Sequence, residues 1–168
     1  MSNSAVNQAP KVSALKTGIS KTDTKVVAEA VSDALADSFT LYLKTLGVHW
    51  NVVGASFYGL HKLTQAQYED LDAAIDAMAE RVRALGHLAP ASFGDFAKRS
   101  VIKSESTIAT ADEMINELVA DNEAIARRMR EAVKIADDAD DVFTADMLTA
   151  RIGVHEQNIW MLSAHNAG

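Results

Sequence analysis

The stretch HWNVVGASFYGLHKLTQAQYEDLDAAIDAMAERVRALG, residues 49–86, decides the fold. It opens on the last turn of one helix and breaks at Gly54. It then resumes as a second helix predicted from about Phe57 to Leu85, with Gly86 as its stop signal. Upstream, Val27, Val31, Leu35, Phe39, Tyr42, Leu46 and Trp50 recur at spacings of four and three. This predicts a first helix that begins near Ser20 to Thr24 and carries these residues on one apolar face. Downstream, residues 87–109 hold Pro90 and Gly94. This connection is long for a bundle, so it crosses the bundle or contains a short helix such as Phe93 to Arg99. Thr110-Ala-Asp-Glu113 reads as a capping box that starts a third helix, with Met114, Leu118, Ile125 and Met129. A loop of Asp137, Asp138, Asp140 and Asp141 precedes a fourth helix carrying Leu148, Ile152, Ile159 and Leu162.

Two long helices, a long crossover and two more long helices is the order of an all-α, ferritin-like four-helix bundle. No run alternates apolar and polar residues between turn signals, so no strand is predicted. Residues 1 to 21 read as a flexible, lysine-bearing tail, and residues 22 to 165 as the bundle. The 168 residues suit a single domain. The absence of Cys excludes a disulfide scaffold, a thiolate metal site and a cysteine nucleophile. No stretch approaches the roughly 20 apolar residues of a membrane span, and the polar start shows no secretory signal. The expected location is the cytoplasm, with no membrane partner.

The chemistry lies in the same stretch. His49 and Trp50 end the first helix; His61, Gln65, Asp72, Asp76 and Glu80 run along the second. At 100° per residue, Gln65, Asp72, Asp76 and Glu80 lie about 40°, 20°, 60° and 100° round from His61. They share one polar face. Such a stripe is also the ordinary composition of a solvated helix face. Axial distance constrains the metal-binding alternative. His61 and Asp76 stand roughly 22 Å apart along the axis, whereas these ligands reach an ion at about 2 Å. One chain cannot bring both ends to one ion. A second copy of the helix, antiparallel about a two-fold near residue 70 or 71, sets His61 of one chain beside Glu80 of the other and makes two equal sites per dimer. Mixed His and carboxylate ligands suit iron, manganese or zinc, and residue type alone does not separate them.

The segments His49-Trp50-Asn51-Val52, Phe57 to Leu63, Gln67 to Asp72 and Ile75 to Gly86 closely resemble the Dps family, the mini-ferritins. Thr144 to Leu148, His155-Glu156 and Trp160-Met161-Leu162 extend the resemblance through the fourth helix. Leu15 to Ser20 extends it into the tail. The resemblance implies a hollow homo-dodecamer with ferroxidase sites across dimer two-folds. It implies oxidation of Fe(II), preferably by hydrogen peroxide rather than O2, and storage of Fe(III) as mineral, which protects the cell and its DNA. No organic cofactor is implied. His49 and His61 become ligands from one chain, with Asp76 and Glu80 from the partner chain. Trp50 becomes a nearby radical or electron relay. Gln65 stands where the family usually has Asp or Glu, and as a metal ligand a neutral amide implies a weaker second iron. Two further readings are a DNA-compacting protein with a weakened ferroxidase site, and a zinc or manganese binder at the same residues.

Charge divides along the chain. The total is −7, but residues 1–25 hold four Lys against one Asp. The body is therefore the acidic part, which argues against nucleic-acid binding through overall charge. The resemblance makes Lys11 and Lys16 candidate DNA contacts, which would place the protein at the nucleoid. It also assigns Asp146, and next to it Asp141, to an acidic pore that admits iron. The same acids equally suit a helix start.

Overall fold

The computed structural model describes residues 16–103 and 110–165. Lys11, Leu15 and most of the expected tail lie outside the described residues. Five helices follow in order: α1 (Lys21–Asn51), α2 (Phe57–Ala84), α3 (Phe93–Arg99), α4 (Ala111–Asp138) and α5 (Val142–His165). Among the described residues there is no strand. Short links join α1 to α2 and α4 to α5, giving two antiparallel hairpins. These pair through α1 against α4 and α2 against α5, while α3 lies on α1. No described helix is long and apolar enough to cross a membrane.

Local signals set the boundaries. The Ser20 hydroxyl accepts from the Asp23 N–H at 3.2 Å and starts α1. Thr110 and Glu113 form the reciprocal capping box that starts α4. Gly86 has φ 90°, the left-handed geometry that ends a helix where a side chain is disfavoured. Asp140 also turns left-handed, at φ 54°, between α4 and α5. Asp tolerates that conformation better than most residues.

The core is a column of large apolar side chains from four helices: Leu35, Leu41, Leu60, Leu71, Met78, Ile115, Leu118, Ile125, Met129, Leu148 and Leu162. Burial of each contributes about 2 kcal/mol. The apolar row foreseen on α1 is only half right. Val27, Val31 and Leu35 are buried, but Trp50 is 65% exposed. Steps of four advance 40° each around a helix, so that row winds off the core face. Ser38, Leu41, Thr45 and Val48 take over. Ser32, Thr40 and Thr45 bury their hydroxyls by donating to carbonyls one turn back.

The crossover is anchored by charge. Buried Asp37 accepts the Val101 N–H at 2.8 Å, and Arg128 donates to the Arg99 carbonyl at 2.7 Å. Arg99 pairs in turn with Glu29 and Asp33 on α1. Phe96 stacks on Phe39 with centroids 4.4 Å apart. Burial raises the pKa of Asp37, and only partly do the Val101 and Arg128 contacts offset it.

Candidate metal centre

Where α1 ends and α2 begins, two imidazoles face each other. Their centroids lie 3.8 Å apart at an interplanar angle of 16°. His49 Nδ1 donates to the His61 carbonyl at 2.9 Å, and His61 Nδ1 donates to the His49 carbonyl at 2.9 Å. A carbonyl can only accept, so both Nδ1 atoms carry the proton. In the neutral rings both Nε2 atoms therefore keep a free lone pair, which is the form that binds a metal. The local fold explains the exchange. The last carbonyls of α1 lack partners within the helix, and the His61 ring supplies one for His49. Phe57 stacks on the outer face of His61 at 5.2 Å, and Tyr68 meets His49 edge-on at 5.1 Å. Phe57 and Tyr68 thus hold the stacked imidazoles in place before any ligand arrives.

The carboxylates of α2 stand elsewhere. Asp72, Asp76 and Glu80 are exposed on the far half of the helix. Among the described residues, no three His, Asp or Glu side chains gather as a metal-binding group. The chain brings His49 and His61 together and keeps Asp76 and Glu80 apart from them, as the axial spacing requires. Trp50 follows His49 in the last turn of α1, largely exposed.

Gln65 is engaged otherwise than foreseen. Its Oε1 accepts from Lys62 Nζ at 3.1 Å, and its Nε2 donates to Glu69 Oε1 at 2.9 Å. Sequence reasoning passed over Lys62 and Glu69 as site residues. The helical wheel held the signal: they lie about 100° and 80° round from His61, on the edge of the same stripe.

Asp141 also differs. It is 2% exposed and caps α5: its Oδ1 accepts the Thr144 N–H at 3.1 Å, and its Oδ2 accepts the Thr144 hydroxyl at 2.6 Å. Arg81 binds both oxygens, at 2.6 and 2.7 Å, and its Nε donates to the Thr144 hydroxyl oxygen at 2.7 Å. Burial pushes the Asp141 pKa up, but the bonds from Arg81 and Thr144 together outweigh it and hold the carboxyl below its ordinary value. Within the single chain both Asp141 oxygens are taken up by Arg81 and Thr144. Asp146, one turn further along α5, is exposed. Lys16, Lys21 and Lys25 are exposed as well.

The Ferritin family model, a ferritin-like domain, matches residues 28–167. The chain is 34% identical over 140 residues to a DNA protection during starvation protein of Brevibacillus brevis, across 83% of this chain and 94% of that one. The structure of Dps from Thermosynechococcus elongatus superimposes with a TM-score of 0.84 at 30% identity, covering 88% of this chain and 94% of that chain. A Dps protein of Vibrio cholerae O1 is described as a member of a broad superfamily of ferritin-like diiron-carboxylate proteins. It superimposes with a TM-score of 0.85 at 27% identity, covering 93% and 98% of the two chains. The helix order, the stacked histidines and these likenesses agree: the chain belongs to the Dps family of ferritin-like proteins.

Proposed function

We propose that this protein is a ferroxidase and iron store whose active site is completed by a second copy of the chain. The observation that carries the reading is the reciprocal bonding of His49 and His61, which leaves both Nε2 atoms free. The two free nitrogens lie at one end of α2, and the exposed carboxylates of Asp76 and Glu80 lie toward the other. An antiparallel copy of α2 closes the gap. The midpoint between His61 and Glu80 falls between Asp70 and Leu71, and so does that between Gln65 and Asp76. One two-fold axis therefore satisfies both pairs.

At such a site Fe(II) is the substrate. The histidine nitrogens hold it as neutral donors. The partner's Asp76 and the partner's Glu80 supply negative charge, which favours Fe(III) over Fe(II). Two Fe(II) ions give one electron each; hydrogen peroxide takes both electrons and two protons, its O–O bond breaks, and two waters leave. No hydroxyl radical is released in that balance, which is the protective value of the reaction. Trp50, the next residue after His49, is the proposed interceptor of a stray oxidising equivalent. Asp146 is the candidate acid for admitting iron to the interior of a dodecameric shell. Trp50, Tyr58, Phe93, Phe143 and Trp160 are exposed on the single chain, and apolar side chains of that size favour burial between copies.

The test is oxidation of Fe(II) by the metal-free protein with peroxide and, separately, with O2, followed by counting the iron retained. Faster oxidation with peroxide and many irons kept per assembly is the expected result. Binding of zinc or manganese without iron turnover would favour the metal-binder reading instead. DNA is a further proposed partner, through Lys16 and the other tail lysines. Twelve tails acting together would bind without sequence preference and release with salt. A gel shift at low salt that disappears when residues 1–15 are removed is the expected outcome, and its absence removes DNA as a partner.

A further inference from the structure

The polar chain beside the histidines gives this site a feature of its own. Lys62 Nζ, Gln65 and Glu69 form a line of cation, amide and anion at 3.1 and 2.9 Å. The amide is oriented from both ends. Flipped, it would turn its NH2 toward an ammonium and its oxygen toward a carboxylate. The Gln65 oxygen, the atom that could ligate a metal, is therefore committed to a protein cation. The negative charge of Glu69 is set beyond the amide, further from the histidines. In the antiparallel arrangement above, Gln65 faces the partner's Asp76, so this oxygen lies where a second ion would sit between the chains.

We propose that Lys62, held on Gln65, is a built-in cation that takes the place of a second metal ion, so that each site binds one divalent transition-metal ion tightly. The inference rests on the ferroxidase reading, since it needs the partner's α2 against this one. Its physical basis is charge. A neutral amide offers nothing to offset a second dication, and an ammonium hydrogen-bonded to it opposes one. That opposition grows where the partner chain excludes water. The second electron for peroxide then comes from a further Fe(II) that visits the site without residing there.

The experiment is an anaerobic titration of the assembled, metal-free full chain with Co(II), whose visible absorption reports nitrogen and oxygen ligands. Wild type should saturate at one Co(II) per chain. The double variant Lys62→Met with Gln65→Glu should bind a second ion at least ~10-fold more tightly than wild type does. Gln65→Glu alone should gain less, because Lys62 would pair with the new carboxylate. Two equally tight ions in wild type, or no gain in the double variant, overturns the proposal. A wild-type spectrum that His49→Ala leaves unchanged overturns the ferroxidase reading itself, a distinct result.

Discussion

Two inactive variants, His61→Ala and Glu80→Gln, should regain iron oxidation when they are unfolded and reassembled together. In the proposed arrangement each alone damages every site, because each site takes a histidine from one chain and a carboxylate from the other. A mixed dimer is different. One of its sites joins the altered His61 to the altered Glu80 and is lost twice over. The other joins the native His61 of one chain to the native Glu80 of its partner and is intact. With random pairing about half the dimers are mixed, so about a quarter of wild-type activity returns. The measurement is the initial rate of peroxide-driven Fe(II) oxidation, compared with each variant reassembled alone. A site built within one chain returns nothing on mixing, because no chain then carries both native residues. The effect is large, and it isolates shared construction from any loss of stability in either variant.

The second expected result is a loss of stability in mild acid that traces to His155. This side chain is fully buried, and its Nδ1 donates to Asn122 Oδ1 at 2.8 Å. The Asn122 amide is itself fixed, its Nδ2 donating to the Leu118 carbonyl at 2.7 Å. His155 Nε2 is buried without a hydrogen-bond partner. Protonation there creates a charge in the core and an N–H with nothing to accept it. Burial, helped by the charge of Arg151 and opposed by Asp70, lowers the pKa from 6.5 to about 4. The sign follows from linkage. Above about pH 6.5 the ring is neutral in both folded and unfolded chains and contributes no pH dependence. As pH falls from 6.5 toward 4 the unfolded chain takes the proton first, so folding weakens. The loss reaches about 3 kcal/mol near pH 4 and then levels off. Other groups titrate in the same range. Asp37 and Asp121, whose pKa values burial raises, favour the folded chain on acidification. Asp141, whose carboxyl is held low, loses its contribution only below the ordinary carboxylate range. The readout is therefore a difference: denaturation midpoints of wild type and His155→Gln at pH 7 and pH 4.5. The wild type should lose markedly more across that interval. Equal losses would show that His155 does not carry the effect.

The order of helices was legible because the signals that begin and end them are local. Ser20, Thr110 and Gly86 each act within a turn of where they stand. The short helix of the crossover was legible for the same reason. The buried face of α1 was not. That helix is packed by α2, α3 and α4 together, and three neighbours bury polar positions that a single apolar stripe does not mark. At the site, residue types and axial spacing were enough to separate the histidines from the carboxylates. The reciprocal hydrogen bonds from each imidazole to the other residue's carbonyl were beyond reach, since they depend on how α1 and α2 meet. Asp141 shows the same limit from the other side. Its place before the last helix suggested a cap, which it is, but nothing local marked the guanidinium 60 positions away in the chain that binds both oxygens.

The two hydrogen bonds that link the histidines tie the history of the site to that of the scaffold. The two rings are not equivalent, however. The His61 ring closes a gap at the end of α1, where the His49 carbonyl has no partner within its helix. The His61 carbonyl lies inside α2 and also accepts from the Thr64 hydroxyl at 3.3 Å. Loss of His61 therefore removes a nitrogen donor and strands a carbonyl at the junction of two helices, whereas loss of His49 removes a donor alone. A lineage that drifts away from metal binding should give up His49 first, and one that gives up His61 must also rebuild the corner between α1 and α2.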